Sequence, residues 1–162
     1  MCLVTGGLET FYYHGGYDLL KLRLARDSDR TRCLELLKTL AGYALPGAAK
    51  IFDQLLTEQR GALLVAEHQE TVIGMVSVSF NLAMRYEGEY CQVEELIVDP
   101  SARGLKAGGA LVQEAVDLAR ERGCKEAGLY LLPSTEHNQP FYEKYGFEKV
   151  GSEMRQVLSK GS

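Results

Sequence analysis

No apolar run in this 162-residue chain reaches the ~18–20 residues that a membrane-spanning helix requires. Basic residues are not in excess either. Lys and Arg number 18 against 22 Asp and Glu, a formal charge of −4, so no broad basic face is implied and nucleic acid is not an expected partner. The four cysteines, Cys2, Cys33, Cys91 and Cys124, are scattered with no CxxC pair, and only three histidines accompany them. A zinc site is therefore not expected, and the thiols read as reduced thiols of a cytoplasmic protein. The N-terminus shows no charged region followed by an apolar stretch and a small-residue cleavage site, so no secretory leader is expected. There is no repeat, no low-complexity tract and no internal linker.

What is present is globular in composition, 46% hydrophobic and 25% charged, at a length that suits one domain with its own core. Residues 1–19 stand apart as an N-terminal extension. Gly6, Gly7, Gly15 and Gly16 break any helical period there, and Phe11, Tyr12, Tyr13 and Tyr17 make it an aromatic arm suited to packing on the domain or on a second subunit. Residues 20–162 form the single domain.

Leu20–Ala25 alternates apolar and charged residues, the period of a half-buried strand. Asp27, Ser28 and Asp29 offer helix N-caps, Cys33, Leu34, Leu36, Leu37 and Leu40 form a helical stripe, and Gly42 is its stop. Pro46 opens a second helix with Ile51, Phe52, Leu55 and Leu56 on its apolar side. Residues 62–67 and 71–80 read as strands joined by a hairpin at His68-Gln69-Glu70, and Tyr90–Val98 as a further strand closed by Asp99-Pro100. A helix follows, with Leu111, Val112, Ala115, Val116, Leu118 and Ala119 on its buried face and Gly123 at its end. Residues 127–132 form a strand and about 138–145 a short helix with Pro140 in its first turn, and 147–150 and 153–158 read as closing strands. The early strands pair antiparallel, whereas the strand–helix–strand unit from 90 to 132 needs a right-handed crossover and a parallel pair. The expected fold class is thus a mixed α/β sheet, about seven-stranded and mostly antiparallel, with about four helices on its two faces.

The turn from Ser101 to Gly109 places a helix N-terminus after a strand, an arrangement that suits an anion. Arg103–Ala110 fails the Walker A pattern, because Ala110 and Leu111 stand where Lys and Ser/Thr belong, and it fails the Rossmann pattern, because Gly104-Leu105-Lys106 is not Gly-x-Gly. What remains, Arg103-Gly104-Leu105-Lys106-Ala107-Gly108, resembles the pyrophosphate-binding motif of the GNAT (Gcn5-related) N-acetyltransferases, Gln/Arg-x-x-Gly-x-Gly/Ala, with Lys106 in place of the middle glycine. A left-handed conformation at Lys106 would be strained, whereas a helical one would not. Glu94–Pro100, Asn138–Phe147 (the N…FY…GF pattern) and Leu22–Asp29 resemble three further blocks of the family in the right order, so the likeness spans about residues 20–158. The stretch Gln92–Gly108 is most similar to aminoalkylphosphonate N-acetyltransferases, a likeness confined to the cofactor motif.

The resemblance implies a GNAT fold with a splayed parallel strand pair and a direct transfer from acetyl-CoA, as cosubstrate, to a primary amine of a small molecule. It implies that Gly104, Leu105, Lys106, Ala107, Gly108, Gly109 and Ala110, with Arg103, cradle the pyrophosphate, and that the backbone of Leu96, Ile97 and Val98 holds the pantetheine arm. Asn138 would hold that arm as well, or simply cap its helix. Glu94 is the candidate base; the plainer reading is that Glu94 and Glu95 face opposite sides of a strand. Tyr142 is the candidate proton donor and lines the cofactor site; the plainer reading is an aromatic packed beside Phe141, Tyr145 and Phe147. Cys91 is out of phase with 92, 94 and 96 and is expected to pack. On the acceptor side, Arg85 and Tyr86 suit a phosphonate or carboxylate, Glu87 and Glu89 a cationic amine, and all four also suit solvated loop positions. Rival readings are a protein-amine acetyltransferase, a non-catalytic acyl-CoA sensor, and an interaction module that has lost CoA. Dimerisation is common in the family, and the aromatic arm would contribute to a homodimer.

Overall fold

The structure is a computed structural model that describes residues 4–6, 9–14 and 18–158, with side chains from Leu19 onward. The chain divides into two units, residues 1–129 and 130–162.

The larger unit is built on one seven-stranded sheet in sequential order. Its strands are β1 (Val4–Gly6), β2 (Glu9–His14), β3 (Asp18–Leu24), β4 (Gly61–His68), β5 (Thr71–Ala83), β6 (Gly88–Val98) and β7 (Ala127–Leu129). All neighbours pair antiparallel except β6 and β7, which are parallel. The mixed, mostly antiparallel sheet with one parallel pair is the expected class, but its membership differs. Residues 4–6 and 9–14 of the extension add two strands beyond β3, while 147–150 and 153–158 form none. The arm's aromatic side chains, and Cys2, lie outside the described residues.

Helices α1 (Arg30–Ala41) and α2 (Ala48–Thr57) cover one face of the sheet, and α3 (Ala107–Glu121) covers the other. On the α3 face, Leu22, Leu64, Val76, Val78, Cys91 and Val93 pack against Leu111, Ala115 and Ala119. On the α1/α2 face, Leu63, Val65, Val72 and Met75 pack against Cys33, Leu36 and Phe52. These residues belong to the stripes that the helical periodicity singles out, whereas Leu40 and Ile51 of the same stripes are exposed. Gly42 ends α1 with φ +82° and donates its N–H to Lys38 O at 2.8 Å, and Gly123, at φ +86°, follows the end of α3. Gly74 on β5 lets α3 dock closely: a Cβ there would lie 3.0 Å from Ile97 O and 3.3 Å from Leu111 Cδ1.

One residue of β3 departs from simple alternation. Arg23 is only 5% exposed, because α1 and its preceding turn cover the second face as well. Its guanidinium donates to Asp29 Oδ2 (2.6 Å) and Oδ1 (3.0 Å) and to Glu67 Oε2 through Nε (2.9 Å) and Nη2 (2.8 Å). Asp29, expected to cap α1, instead turns its carboxylate back to Arg23 and to Arg26 N–H at 2.8 Å. A buried guanidinium needs such partners, since an unpaired buried charge costs several kcal/mol.

In the smaller unit, a 3-10 run over Pro133–Asn138 leads into α4 (Gln139–Glu143), and Gly146 follows at φ +84°. Phe141, Tyr142, Tyr145 and Phe147 form an aromatic cluster, with Phe141 and Tyr142 edge to face at 5.0 Å. The closing segments are held by side chains rather than ladders: Lys149 pairs with Glu136 at 3.1 Å, and Arg155 stacks over Tyr130 at 5.0 Å. Val150, Met154, Val157 and Leu158 are exposed, so neither segment has the buried face that would favour a strand. No described helix is long and apolar enough to cross a membrane.

Candidate active site

The site grows from an irregularity in β6. Its register against β5 runs Ser77↔Glu95 and then Val78↔Val93, so Glu94 is an extra residue, a β-bulge. The bulge alters where the two carboxylates go. Glu95 Oε2 accepts from Ser77 Oγ, and Glu94 Oε1 accepts from Ser79 Oγ at 2.6 Å. Ser77 and Ser79 are two apart on an uninterrupted strand and share a face, so both carboxylates are drawn to the α1/α2 face. The expectation that Glu94 and Glu95 lie on opposite sides is thereby corrected. Ser79 Oγ in turn accepts from Asn81 Nδ2 at 2.9 Å, which leaves its own proton for Glu94.

The bulge also marks where β6 loses its parallel neighbour. The ladder to β7 ends at Val93↔Leu129, yet β6 continues to Val98. Along Glu94, Leu96, Ile97 and Val98, the edge facing away from β5 therefore carries backbone groups with no sheet partner among the described residues. The side chains of Leu96 and Val98 pack with the α3-face core and that of Ile97 with the opposite core, leaving the main chain as the part that can bind.

Beyond Val98, Asp99 fixes the turn. Its carboxylate accepts from Ser101 N at 2.8 Å and Ser101 Oγ at 2.7 Å, and pairs with Arg32 of α1, whose Nε also donates to Val72 O at 2.9 Å. Hydrogen bonds from the Ser101 hydroxyl and amide, then from Arg32, hold the Asp99 carboxyl down at about 2. The chain then passes Arg103 and Leu105, with Gly104 at φ +98°, and enters α3 through Lys106 at φ +57°, ψ +20°. Lys106 thus takes the left-handed conformation, the strained alternative at this position. Its carbonyl accepts the first helical bond, from Ala110 N at 3.2 Å. The N–H groups of Ala107, Gly108 and Gly109 precede that bond, no side chain caps them, and no acid occupies the first turn. An open, positively polarised helix end with no side chain on Gly108 or Gly109 fits a diphosphate, with Lys106 and Arg103 exposed beside it.

The smaller unit carries the other two candidates. Asn138 occupies the N-cap position of α4, but its side chain makes no capping bond, so the capping reading does not hold. Tyr142 is half-buried in its aromatic cluster, and burial pushes its phenol pKa up, so it stays protonated through the neutral range.

The family resemblance gives the acceptor side to the first two helices and the 81–89 connection, without naming a pocket. On the α1/α2 face lies a cleft of about 370 Å³, walled by Leu34, Leu37, Leu45, Ile51, Phe52 and Met75 among others, with Ser77 and Glu95 as its polar contributors. Its volume is that of a small-molecule site. Glu95, not Glu94, lines it. Ile51, on the apolar side of α2, is 53% exposed at the cleft.

Other expected groups are engaged elsewhere. Glu89 pairs with Arg122 at 2.7 and 3.0 Å, and so is not free to attract an amine. Arg85 stacks over Tyr86 at 4.6 Å and Tyr90 at 5.7 Å. Cys91 is 1% exposed, and burial pushes its thiol up to about 12, which removes it as an acyl carrier.

The acetyltransferase (GNAT) family matches residues 25–147. A glucosamine 6-phosphate N-acetyltransferase of Trypanosoma brucei brucei is 33% identical over 145 residues, covering 84% of this chain and 94% of that protein. A crystal structure of a Trypanosoma brucei acetyltransferase superposes with a TM-score of 0.72 at 30% identity, over 86% of this chain and 99% of that one. An aminoglycoside N-acetyltransferase in complex with CoA shares the fold, with a TM-score of 0.78 at 17% identity over 90% and 98% of the two chains. The curated relative is a glucosamine 6-phosphate enzyme rather than an aminoalkylphosphonate one, so the likeness of residues 92–108 to the latter does not carry to the acceptor.

Proposed function

Because the chain belongs to the GNAT family of acetyltransferases, we propose that it transfers an acetyl group from acetyl-CoA directly to a primary amine of a small molecule. The observation that carries this is the junction of β6 and α3: a strand edge without a sheet partner over 94–98, running into an uncapped helix N-terminus. The first fits an extended arm bearing amides and the second a diphosphate, which is the order of groups along CoA. The N–H groups of Ala107, Gly108 and Gly109 would hold the pyrophosphate, with Gly104, Leu105 and Ala110 shaping the loop and Arg103 and Lys106 adding charge. Leu96, Ile97 and Val98 would hold the pantetheine through their backbone, and the uncommitted side chain of Asn138 is assigned to it too.

When bound, acetyl-CoA supplies an activated acyl group as a thioester. An alkylamine near pKa 10 is almost wholly protonated at neutral pH, so a proton must leave before the nitrogen can attack. Glu94, exposed at the bulge and held by Ser79 Oγ, takes that proton, directly or through water, and passes it to solvent. As the C–N bond forms and the C–S bond breaks, Tyr142 gives its phenolic proton to the departing sulfur. It is restored by the second proton that the nitrogen sheds. No covalent enzyme intermediate is needed, in keeping with the buried, inert Cys91.

A thermal-shift titration with acetyl-CoA, CoA and ATP tests the site. A ligand at 100 times its Kd adds about 2.7 kcal/mol, about 5–10 °C for a chain of this size. The reading requires that shift with acetyl-CoA and CoA but not with ATP; no shift refutes it. Tyr142→Phe and Glu94→Gln should each lower kcat by about 100-fold while leaving the CoA shift in place. A normal kcat in either variant removes that residue from its assigned role.

A further inference from the structure

Resting on the acetyltransferase reading above, we propose that the cleft on the α1/α2 face receives the acceptor as a primary amine with an apolar body, an alkyl- or arylalkylamine, whose ammonium pairs with Glu95. The walls from Leu34, Leu37, Leu45, Ile51, Phe52 and Met75 offer an apolar solute a concave apolar surface, part of it still exposed to water at Leu45 and Ile51 and so available to be buried by a ligand. The charge in that lining is a single carboxylate, Glu95, with Ser77 Oγ as its hydrogen-bond donor; no Lys, Arg or His takes part. A carboxylate among apolar walls gains most from a monocation that brings its own apolar stem. A phosphorylated amine would bring a dianion into a cleft with no cation to receive it. The amine of the Trypanosoma relative's named substrate would find Glu95 here, but its phosphate would find no cationic side chain, only the N-terminus of α2 at Gly47 and Ala48.

The bulge explains the placement. By turning Glu94 and Glu95 to one face, it sets the carboxylate that lines the cleft next in sequence to the proposed base, Glu94, which is exposed on the same face. Glu95 thus acts on substrate binding, which predicts an effect on KM distinct from the kcat effect of Glu94.

The test is acetyl transfer to a series from n-propylamine to n-octylamine, to phenethylamine and to glucosamine 6-phosphate. kcat/KM should rise about fourfold per added methylene until the cleft is full, and glucosamine 6-phosphate should be the poorest acceptor. Glu95→Gln should lower kcat/KM for hexylamine at least about tenfold through KM, with the CoA thermal shift retained. Ile51→Trp, at an exposed position that folding tolerates, should cut the chain-length dependence off at shorter amines. A flat dependence on chain length, a preference for glucosamine 6-phosphate, or an unchanged KM in Glu95→Gln overturns the proposal.

Phenethylamine binding without acetyl-CoA, followed by the methyl resonances of Leu37, Ile51 and Met75 against phenethyl alcohol as the neutral control, separates the two claims. Amine binding in the cleft without any turnover supports the cleft assignment and sinks the acetyltransferase reading. Turnover without perturbation of those methyls overturns the cleft assignment alone. Neither binding nor turnover overturns both.

Discussion

Replacing Lys106 by glycine should make the protein more stable and a weaker CoA binder at the same time. Lys106 enters α3 at φ +57°, ψ +20°, where the Cβ of an L-residue costs about 1–2 kcal/mol. Glycine removes that cost but returns about 0.4–1 kcal/mol as extra freedom of the unfolded chain. The net gain, about 0.5–1 kcal/mol, raises Tm by about 1–4 °C at this chain length. Lys106→Ala keeps the Cβ and should gain nothing. Both variants lose the ammonium beside the uncapped helix end, so both should bind CoA about two- to fivefold more weakly, with a difference from wild type that fades as salt rises. Differential scanning calorimetry of the three proteins and isothermal titration with CoA at two salt concentrations read the two effects separately. A Tm for Lys106→Gly at or below that of Lys106→Ala refutes the backbone argument. Unchanged CoA affinity in both variants refutes the role given to the charge.

Two ion pairs give further predictions. Asp29→Asn leaves the 5%-exposed Arg23 with Glu67 as its remaining carboxylate, and should cost about 3 kcal/mol in a denaturant melt; a loss under 1 kcal/mol would deny the pair its structural role. Burial raises the Asp29 carboxyl pKa, but hydrogen bonds from Arg23 and Arg26 outweigh it and lower the value overall, so its contribution is present above the unfolded carboxylate value and lost as pH falls through the lower folded one. At Asp99, held down at about 2 by hydrogen bonds from the Ser101 hydroxyl, the Ser101 amide and Arg32, Ser101→Ala and Arg32→Ala should each raise the carboxyl pKa. A carboxyl carbon NMR titration reads both, and an unmoved value in either variant refutes the cause assigned to that residue. The stability that Asp99 contributes is whole above the unfolded value and disappears as pH falls through about 2.

The parts of the fold legible in the sequence are those fixed by local chemistry. Gly42 and Gly123 mark the ends of α1 and α3 because a helix closes well with a left-handed residue there, and the Leu36 and Leu111 stripes face the sheet because their spacing admits no other buried side. The extension was harder to read. Glycines at 6–7 and 15–16 interrupt every period, and strands as short as residues 4–6 leave almost no pattern between them. The closing segments 147–150 and 153–158 misled in the opposite sense: their composition suits strands, but beyond Phe147, which joins the aromatic cluster, their apolar side chains are exposed. Arg23 misled for a tertiary reason, since alternation assigns a charged strand residue to solvent and only the covering helix makes it a buried one.

The site divides along the same line. The phosphate loop was legible because its function resides in backbone N–H groups whose presence a glycine-bearing strand–turn–helix announces. The pairing of Glu94 with Glu95 was not, because nothing in Tyr90–Val98 distinguishes a regular strand from a bulged one; the extra residue exists only relative to β5. That single residue has consequences on both sides of β6. On the β7 side the ladder stops at Val93, opening the edge assigned to the pantetheine. On the α1/α2 face it places two carboxylates where alternation allows one. The edge assigned to the pantetheine and the shared face of the two carboxylates therefore meet at one residue, and a variant that removes Glu94 should lose CoA binding while Glu95 stays opposite Ser77 and the amine binding proposed for it is kept, whereas Glu94→Gln should lose neither.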